Sequence, residues 1–381
     1  MTRKIDVAVV GGGPAGLAVA IHAARRGLGV LVLEGSPTPP DKACGEGLMP
    51  PGVRALEALG VRIPEDACSP FVGIRYVQED GRALEGRFAR GTGLGVRRTA
   101  LVAALAERAR SLGASVELGA RVRGMRLLSG ARRLELDGGT VDAGVVVAAD
   151  GINSPLRRAA HLDGPPAYGR FGLRQHLRIA PWTDFVEVHW RDRADCYVTP
   201  VGPDRVNVLF QWDPRSLPGP QSFKSFLERF PGLHERLAGA PFDSAQRAIG
   251  PLVHSSRGRV AHRFALVGDA AGFVDGITGE GLTLAFHCAE ALAAILPRAL
   301  GQGATRSALS PYERTFRREY RRYRFLTHGL LAIAAHPSLR RLVLGGLTRC
   351  PALFESLLRR VVASGGAHPT TNESWRIHEA G

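Results

Sequence analysis

Three glycines in the N-terminal stretch IDVAVVGGGPAGLAVAIHAARRGLGVLVLEGS mark the first chemistry this sequence can hold. Gly11, Gly13 and Gly16 stand in G-x-G-x-x-G spacing between an apolar, β-branched run at 5–10 and a run of helix formers that stops at Gly27. A second apolar run closes on Glu34. The pattern suits a dinucleotide. The first glycine allows a tight turn, and the second lets the backbone approach a pyrophosphate. The third lets helix and strand pack closely, with the helix N-terminus facing the anion. Strand, glycines, helix, strand and acid in register make the motif specific. Pro14 and Ala15 lie inside this loop and join the glycines as candidate cofactor-binding residues. Glu34 would accept hydrogen bonds from ribose hydroxyls and repel a 2′-phosphate. The similar string GTGLG at Gly91–Gly95 lacks a preceding apolar strand and reads as a loop.

Two distal segments choose between dinucleotides. VDAGVVVAADGINSPLRRA reads as a buried strand ending at Asp150-Gly151, with Ser154 and Arg157 following. HRFALVGDAAGFVDGITGEGLTLAFHCAEALAAIL reads as another strand ending at Gly268-Asp269, then a loop, then Gly279-Glu280-Gly281-Leu282 opening a long helix. A carboxylate at a strand's end suits the hydroxyls of a polyol. A helix N-terminus offers free N–H groups and the positive end of a dipole to a developing anion. A reduced flavin carries its negative charge near N1 and the C2 carbonyl, so these features address FAD.

The tetrapeptide Gly-Glu-Gly-Leu also occurs earlier, at Gly45–Leu48 in DKACGEGLMPPGV, directly after Cys44. The five cysteines (44, 68, 196, 288 and 350) are widely spaced and form no CxxC pair, which argues against a disulfide framework or a zinc site. No base and orienter accompany Cys44, so it is not read as a nucleophile.

With these motifs in this order, the chain resembles the FAD-binding fold of p-hydroxybenzoate-hydroxylase-type (group A) flavoproteins. KACGEGLMP and GDAAGFVDGITGEGL are similar to the geranylgeranyl-reductase-like branch of that superfamily. The resemblance covers roughly residues 1–160 and 255–300. It implies that Gly11, Gly13, Gly16 and Glu34 hold the ADP part, and that Arg98, opening the helix RTALVAALAERARSLGA, contacts the diphosphate or ribityl region. It implies that Asp269 binds the ribityl chain and that Gly279 to Leu282 lie by the pyrimidine edge of the flavin. Asp150-Gly151 would lie near both FAD and a transient nicotinamide reductant, NAD(P)H. Both Gly-Glu-Gly-Leu copies would then converge on the flavin, which makes Cys44, Glu46, Gly279, Glu280 and Gly281 the candidate catalytic set. The alternative for Cys44 is a small apolar residue packed under a loop. Two departures stand out. Group A hydroxylases usually carry a histidine after GDAA and a proline in the next loop, where this chain has Gly272 and Gly276. The W-x-F-P pattern common in prenyl reductases is also missing, with DCYVTPVGPDRVNVLF in its place.

The elements that must position these residues form an α/β architecture. A Rossmann-like FAD-binding domain of the glutathione-reductase type is expected over 1–70, 96–160 and 256–304. An inserted antiparallel β-sheet substrate domain is expected over 71–95 and 161–255. Segments such as FVEVHW and RVNVLFQW alternate with period two, and the Asp80-Gly81 turn predicts a hairpin that joins the same sheet. Trp190, Tyr197, Phe210 and Trp212 are candidate pocket linings or core residues, and His176 and His189 are candidate acid/base groups. Residues 305–381 read as helical and arginine-rich, with a disordered tail after Gly365.

Composition limits the partners. The 381 residues carry a formal net charge of +15, and the 50 basic residues include only three lysines, Lys4, Lys42 and Lys224. Such a surface favours anionic partners, but the basic residues are scattered and no nucleic-acid module appears. The basic surface would suit peripheral membrane or carrier-protein contact. No apolar run in the sequence approaches the length of a membrane span, and a reduced, cytoplasmic setting is expected. The functional expectation is an FAD-dependent oxidoreductase acting on a small hydrophobic molecule. A monooxygenase using NAD(P)H and oxygen on an electron-rich aromatic or polyketide-like secondary metabolite comes first. An ene-reductase saturating an isoprenoid chain comes second. A flavin halogenase, whose W-x-W-x-I-P pattern is absent, and a non-catalytic FAD protein follow.

Overall fold

A computed structural model describes residues 2–350, 352–356 and 358. Five parallel strands form its main sheet, in the order Phe264–Leu266, Gly139–Ala148, Thr2–Val10, Val30–Glu34 and Ser115–Leu118. Both faces of this sheet are covered, which is why Val7–Val10 and Val145–Ala148 read as unbroken apolar runs and are buried. The helix Pro14–Ala24 packs between Arg98–Ser111 and Gly281–Gly301. The strands Arg132–Leu136 and Val122–Leu127 extend the sheet as an antiparallel edge.

A second sheet of seven strands lies over the cofactor loops. Its order is Arg247–Ile249, Phe171–Arg178, Arg205–Trp212, Ala194–Gly202, Phe185–Arg191, Gly73–Val77 and Ala83–Arg87. The hairpin Gly73–Arg87 does join it, but Gly73–Val77 runs parallel to Phe185–Arg191, so the sheet is mixed where an antiparallel one was expected. These two strands belong to separate excursions of the chain, and no tight turn forces them to run in opposite directions. One face of the sheet buries Phe210, Trp212 and Cys196 against the short helices Phe223–Leu227 and Pro231–Arg236. The other face looks toward the cofactor loops.

The string read as a loop at 91–95 instead contributes a strand, Gly93–Val96, between Gly47–Leu48 and Cys68–Phe71. A Cβ on Gly95 would overlap the Pro200 carbonyl, and one on Gly93 would overlap the Phe71 ring. Gly95 allows close packing against the second sheet, and Gly93 against its own cross-strand neighbour Phe71.

The helix Gly281–Gly301 is long and apolar enough to cross a membrane by length and composition, contrary to the expectation that no such run exists. Nearly half of its apolar window is buried, and the helix packs against Pro14–Ala24, Pro50–Ala58 and Arg306–Ala335. The C-terminal region is helical over Arg306–Ala335 and Pro337–Arg349. The tail after Gly365 lies outside the described residues.

Candidate flavin site

The three motif glycines do different work. A Cβ on Gly11 (φ +111°) would overlap the Ala149 carbonyl, and one on Gly16 would overlap the Gly11 carbonyl. A Cβ on Gly13 would meet only the Arg98 guanidinium, at 3.8 Å. Gly11 and Gly16 therefore permit the fold, whereas Gly13 borders open space beside a cation. Gly13 also precedes the helix Pro14–Ala24, whose N-terminus has no side-chain cap. Its first N–H groups, including those of Ala15 and Gly16, have no partner within the helix. The Glu34 carboxylate holds the loop by accepting from the N–H groups of Gly12 (2.7 Å) and Ser36 (2.8 Å).

The distal motifs converge on the same cleft. Buried Arg157 donates to Ile152 O (2.9 Å), Ala270 O (3.1 Å) and Asp163 (2.7 Å), and so ties the Asp150 turn to the Gly268–Ala270 loop. Ser154 caps the short helix Pro155–Ala159 by accepting from Arg157 N–H. Asp150 Oδ2 accepts the Leu156 N–H (3.3 Å), and its buried Oδ1 meets no protein donor. Burial raises the Asp150 carboxyl above its ordinary range. The Lys42 ammonium lies 3.1 Å from where a Cβ on Gly151 would stand. Gly268 (φ +62°) brings its loop against Ala15. Asp269 is exposed, yet desolvation still raises its carboxyl against the pull of Arg98 and Lys42. Both properties fit a group that looks into an enclosed cleft. Gly279 and Glu280 open the uncapped helix Gly281–Gly301, with Gly281 close to the Phe273 ring and Leu282 half-buried. Burial raises Glu280 to about 7, opposed by Arg322.

The first Gly-Glu-Gly-Leu copy lies next to the second. A Cβ on Gly279 would contact Met49, and one on Gly52 would crowd Thr283 and Leu48. The two copies do not play the same part. Glu46 is buried at φ +57°, and Oε1 accepts the Arg98 N–H (2.8 Å), the first of its helix. Its Oε2 lies 2.6 Å from His176 Nε2. His176 Nδ1 faces Arg174 NH1 at 2.9 Å, and a guanidinium only donates, so Nδ1 accepts and Nε2–H donates to Glu46. This neutral tautomer agrees with burial lowering the His176 pKa. Arg174 in turn pairs with Asp41, and Asn207 donates to Cys44 O (2.9 Å). The loop 41–46 is thereby fastened to the second sheet. Half-buried Cys44 accepts from Glu46 N–H (3.4 Å) and lies 3.8 Å from Arg98 NH1.

Other candidates separate by strand parity. Tyr197 and Trp190 lie on the face toward the cofactor loops, whereas Phe210 and Trp212 belong to the opposite core. His189 also points to the far face, where it bonds Glu187 (3.0 Å), so its strand does not carry it to the cleft. Sequence reasoning missed Arg174, Asn207 and a second buried set in which Arg170 binds Asp195, Asp275 and Gln211. Polar residues at alternate positions of otherwise apolar strands, as in Arg174 and His176, were the available signal. Among the described residues no group of three His, Cys, Asp or Glu is placed to hold a metal ion.

The set fits FAD. Gly13, the open helix N-terminus and the Arg98 guanidinium, whose buried Nε lacks a partner, suit a diphosphate. Asp269 and the unpaired Asp150 oxygen suit hydroxyl donors of the polyol.

Comparisons with known proteins agree. Menaquinone reductase of Mycobacterium tuberculosis is 30% identical over 304 residues, 73% of this chain and 72% of that protein. Digeranylgeranylglycerophospholipid reductase 2 of Methanothermobacter thermautotrophicus is 32% identical over 347 residues, 83% and 84% of the two chains. The 3-amino-4-hydroxybenzoate 2-monooxygenase of Streptomyces cremeus is 36% identical over 46% of each chain. Among solved structures, a geranylgeranyl bacteriochlorophyll reductase-like protein from Thermoplasma acidophilum superposes with a TM-score of 0.78 at 21% identity, covering 95% of this chain and 92% of that one. Halogenase PltM superposes at 0.79 with 18% identity, covering 95% and 84%. The family model for the FAD binding domain matches residues 4–322. The chain is an FAD-dependent oxidoreductase and belongs to the FAD binding domain family, with geranylgeranyl-reductase-like flavoproteins among its relatives.

Proposed function

We propose that the protein reduces a carbon–carbon double bond in a prenylated, largely apolar molecule, which places the ene-reductase ahead of the monooxygenase first expected. The observation that carries this reading is one apolar cluster above the cofactor loops. It runs from Met49 and Ile277 across Tyr76, Val188 and Leu209 to Leu344 on the C-terminal helix. The cluster gives the cofactor loops a packed apolar wall on this side, which suits a hydrocarbon chain better than a compact polar aromatic. Two further points support it. Both curated reductases align over most of their length and of this chain, whereas the monooxygenase aligns over less than half. The position taken by histidine in group A hydroxylases is Gly272, and a Cβ there would already lie 3.2 Å from the Tyr320 ring.

FAD, when bound and reduced by NAD(P)H, would supply a hydride, and saturating one double bond takes one hydride and one proton. The chain's own residues supply position and the proton. Arg98, Gly13 and the open helix N-terminus would hold the diphosphate, and Asp269 the polyol. Glu280, at the start of the helix Gly281–Gly301 with its carboxyl raised to about 7 by burial, would be the donor of that proton. Cys44 lines the cleft beside Arg98. The C-terminal helices expose Phe325 and Leu342 among arginines, a surface suited to an anionic membrane that would carry such a substrate.

The test is anaerobic stopped-flow of the reduced enzyme with geranylgeraniol, which has no quinone ring to take electrons directly. Flavin reoxidation without oxygen is expected. A flavin that stays reduced until oxygen is added, then turns over an aromatic, would restore the monooxygenase reading. That second reading is favoured by the 36% identity to the Streptomyces cremeus enzyme.

A further inference from the structure

Two hydrogen-bond donors on the cleft-facing side of the second sheet are buried without a protein partner. They are the indole Nε1–H of Trp190 (2% exposed) and the hydroxyl of Tyr197 (7% exposed). Trp190 is opposite Asp195 and Tyr197 is opposite Val188, so the two are diagonal neighbours on one face. Tyr76 lies against the Trp190 ring, with centroids 4.7 Å apart. Arg170, bonded to Asp195, Asp275 and Gln211, also reaches Tyr197, but a guanidinium only donates, so it meets the hydroxyl oxygen and leaves the Tyr197 O–H without an acceptor. Thr278, in the facing loop beside Ile277, has a third buried hydroxyl without a partner.

Buried donors are nearly always paired, and leaving one unmet costs the whole desolvation of the group. Two on one face, next to residues of the cofactor loops, are explained if another molecule completes them. We infer that Trp190 and Tyr197 form a recognition site for a hydrogen-bond-accepting oxygen, such as a ring carbonyl, at the polar end of an otherwise apolar ligand. This deepens the reading above, since it names the end of the substrate opposite its chain. Tyr197 and Trp190 here bind and orient, and no step of the reaction is assigned to them.

The probe pair is duroquinone and durene, which share a tetramethylated ring and differ in the two carbonyls. Neither ring has a free position for thiol addition at Cys44. Binding to the oxidised holoenzyme is followed by quenching of flavin fluorescence. Wild type should bind duroquinone at least about tenfold more tightly than durene, the worth of one good hydrogen bond. Tyr197→Phe and Trp190→Phe should each remove most of that preference, leaving durene affinity and the melting temperature nearly unchanged. Equal affinity of wild type for the two probes, or a preference that survives both substitutions, would overturn the site. A variant that binds neither probe and has lost its thermal transition is replaced by Trp190→Tyr, which keeps an aromatic ring but moves the donor and should also lose the preference. Because only binding is read, the outcome is separate from prenyl reduction. Reduction of geranylgeraniol with no carbonyl preference would sink this inference alone. A carbonyl preference with no such reduction would sink the reaction assignment alone.

Discussion

Replacing Glu46 tests whether the loop carrying Cys44 is held by the second sheet. Glu46→Ala leaves two buried donors unmet, the Arg98 N–H and the His176 Nε2–H. At roughly 1–3 kcal/mol for each orphaned donor, the loss should be about 2–6 kcal/mol. The backbone adds a second, separable contribution. Position 46 sits at φ +57°, where any residue with a Cβ is strained by roughly 1–2 kcal/mol and glycine is not. Glycine's extra chain entropy returns part of that, so Glu46→Gly should be about 1 kcal/mol more stable than Glu46→Ala. Glu46→Gln should fall between wild type and Ala. Its carbonyl can still accept from Arg98, but its amide meets the His176 Nε2–H, and Arg174 blocks the other tautomer. The assay is urea unfolding of the holoprotein, read by tryptophan and by flavin fluorescence, since a chain of this size need not unfold in one step. Wild-type stability in Glu46→Ala, or a glycine variant weaker than the alanine one, would refute the clamp.

Other outcomes follow from the same cleft. Gly16→Ala should fail to fold, because its Cβ overlaps the Gly11 carbonyl, whereas Gly13→Ala should fold normally and lose FAD on gel filtration. Asp269→Ala should keep its fold and lower FAD affinity about tenfold to a hundredfold, for one charge-assisted hydrogen bond of roughly 1.5–3 kcal/mol. Unchanged flavin occupancy would show that Asp269 points elsewhere. Glu280, raised to about 7 by burial, stays protonated in the fold at pH values where it ionises in the unfolded chain. It should therefore subtract stability as pH rises from about 4.5 to about 7, by at most about 3 kcal/mol. The stability difference between Glu280→Gln and wild type should grow across that window in favour of the variant, and a flat difference would contradict the assignment.

The positions of the glycine loop, Glu34, Asp150 and Asp269 were legible because they follow from local geometry: a strand end, a tight turn, a helix start. The arrangement of the second sheet was legible only in part. Period-two alternation identifies strands but not which face meets the cofactor, so His176 and His189 looked equivalent although they point to opposite sides. The Asp41–Arg174–His176–Glu46 network was not legible at all, since its members meet only once a sheet from one half of the chain closes over a loop from the other. Gly93 and Gly95 were misread for a related reason. Their need to be glycine arises from Phe71 and Pro200, which approach them through tertiary packing.

The mass of the product tests the central claim most directly. Enzyme reduced in the absence of oxygen is mixed with one equivalent of a geranylgeranylated lipid, and the extracted lipid is weighed by mass spectrometry. The account predicts a gain of two hydrogens at one double bond, with the flavin oxidised in equal amount. Recovery of unchanged lipid, together with an oxygen-dependent gain of one oxygen atom on an aromatic substrate, would contradict it.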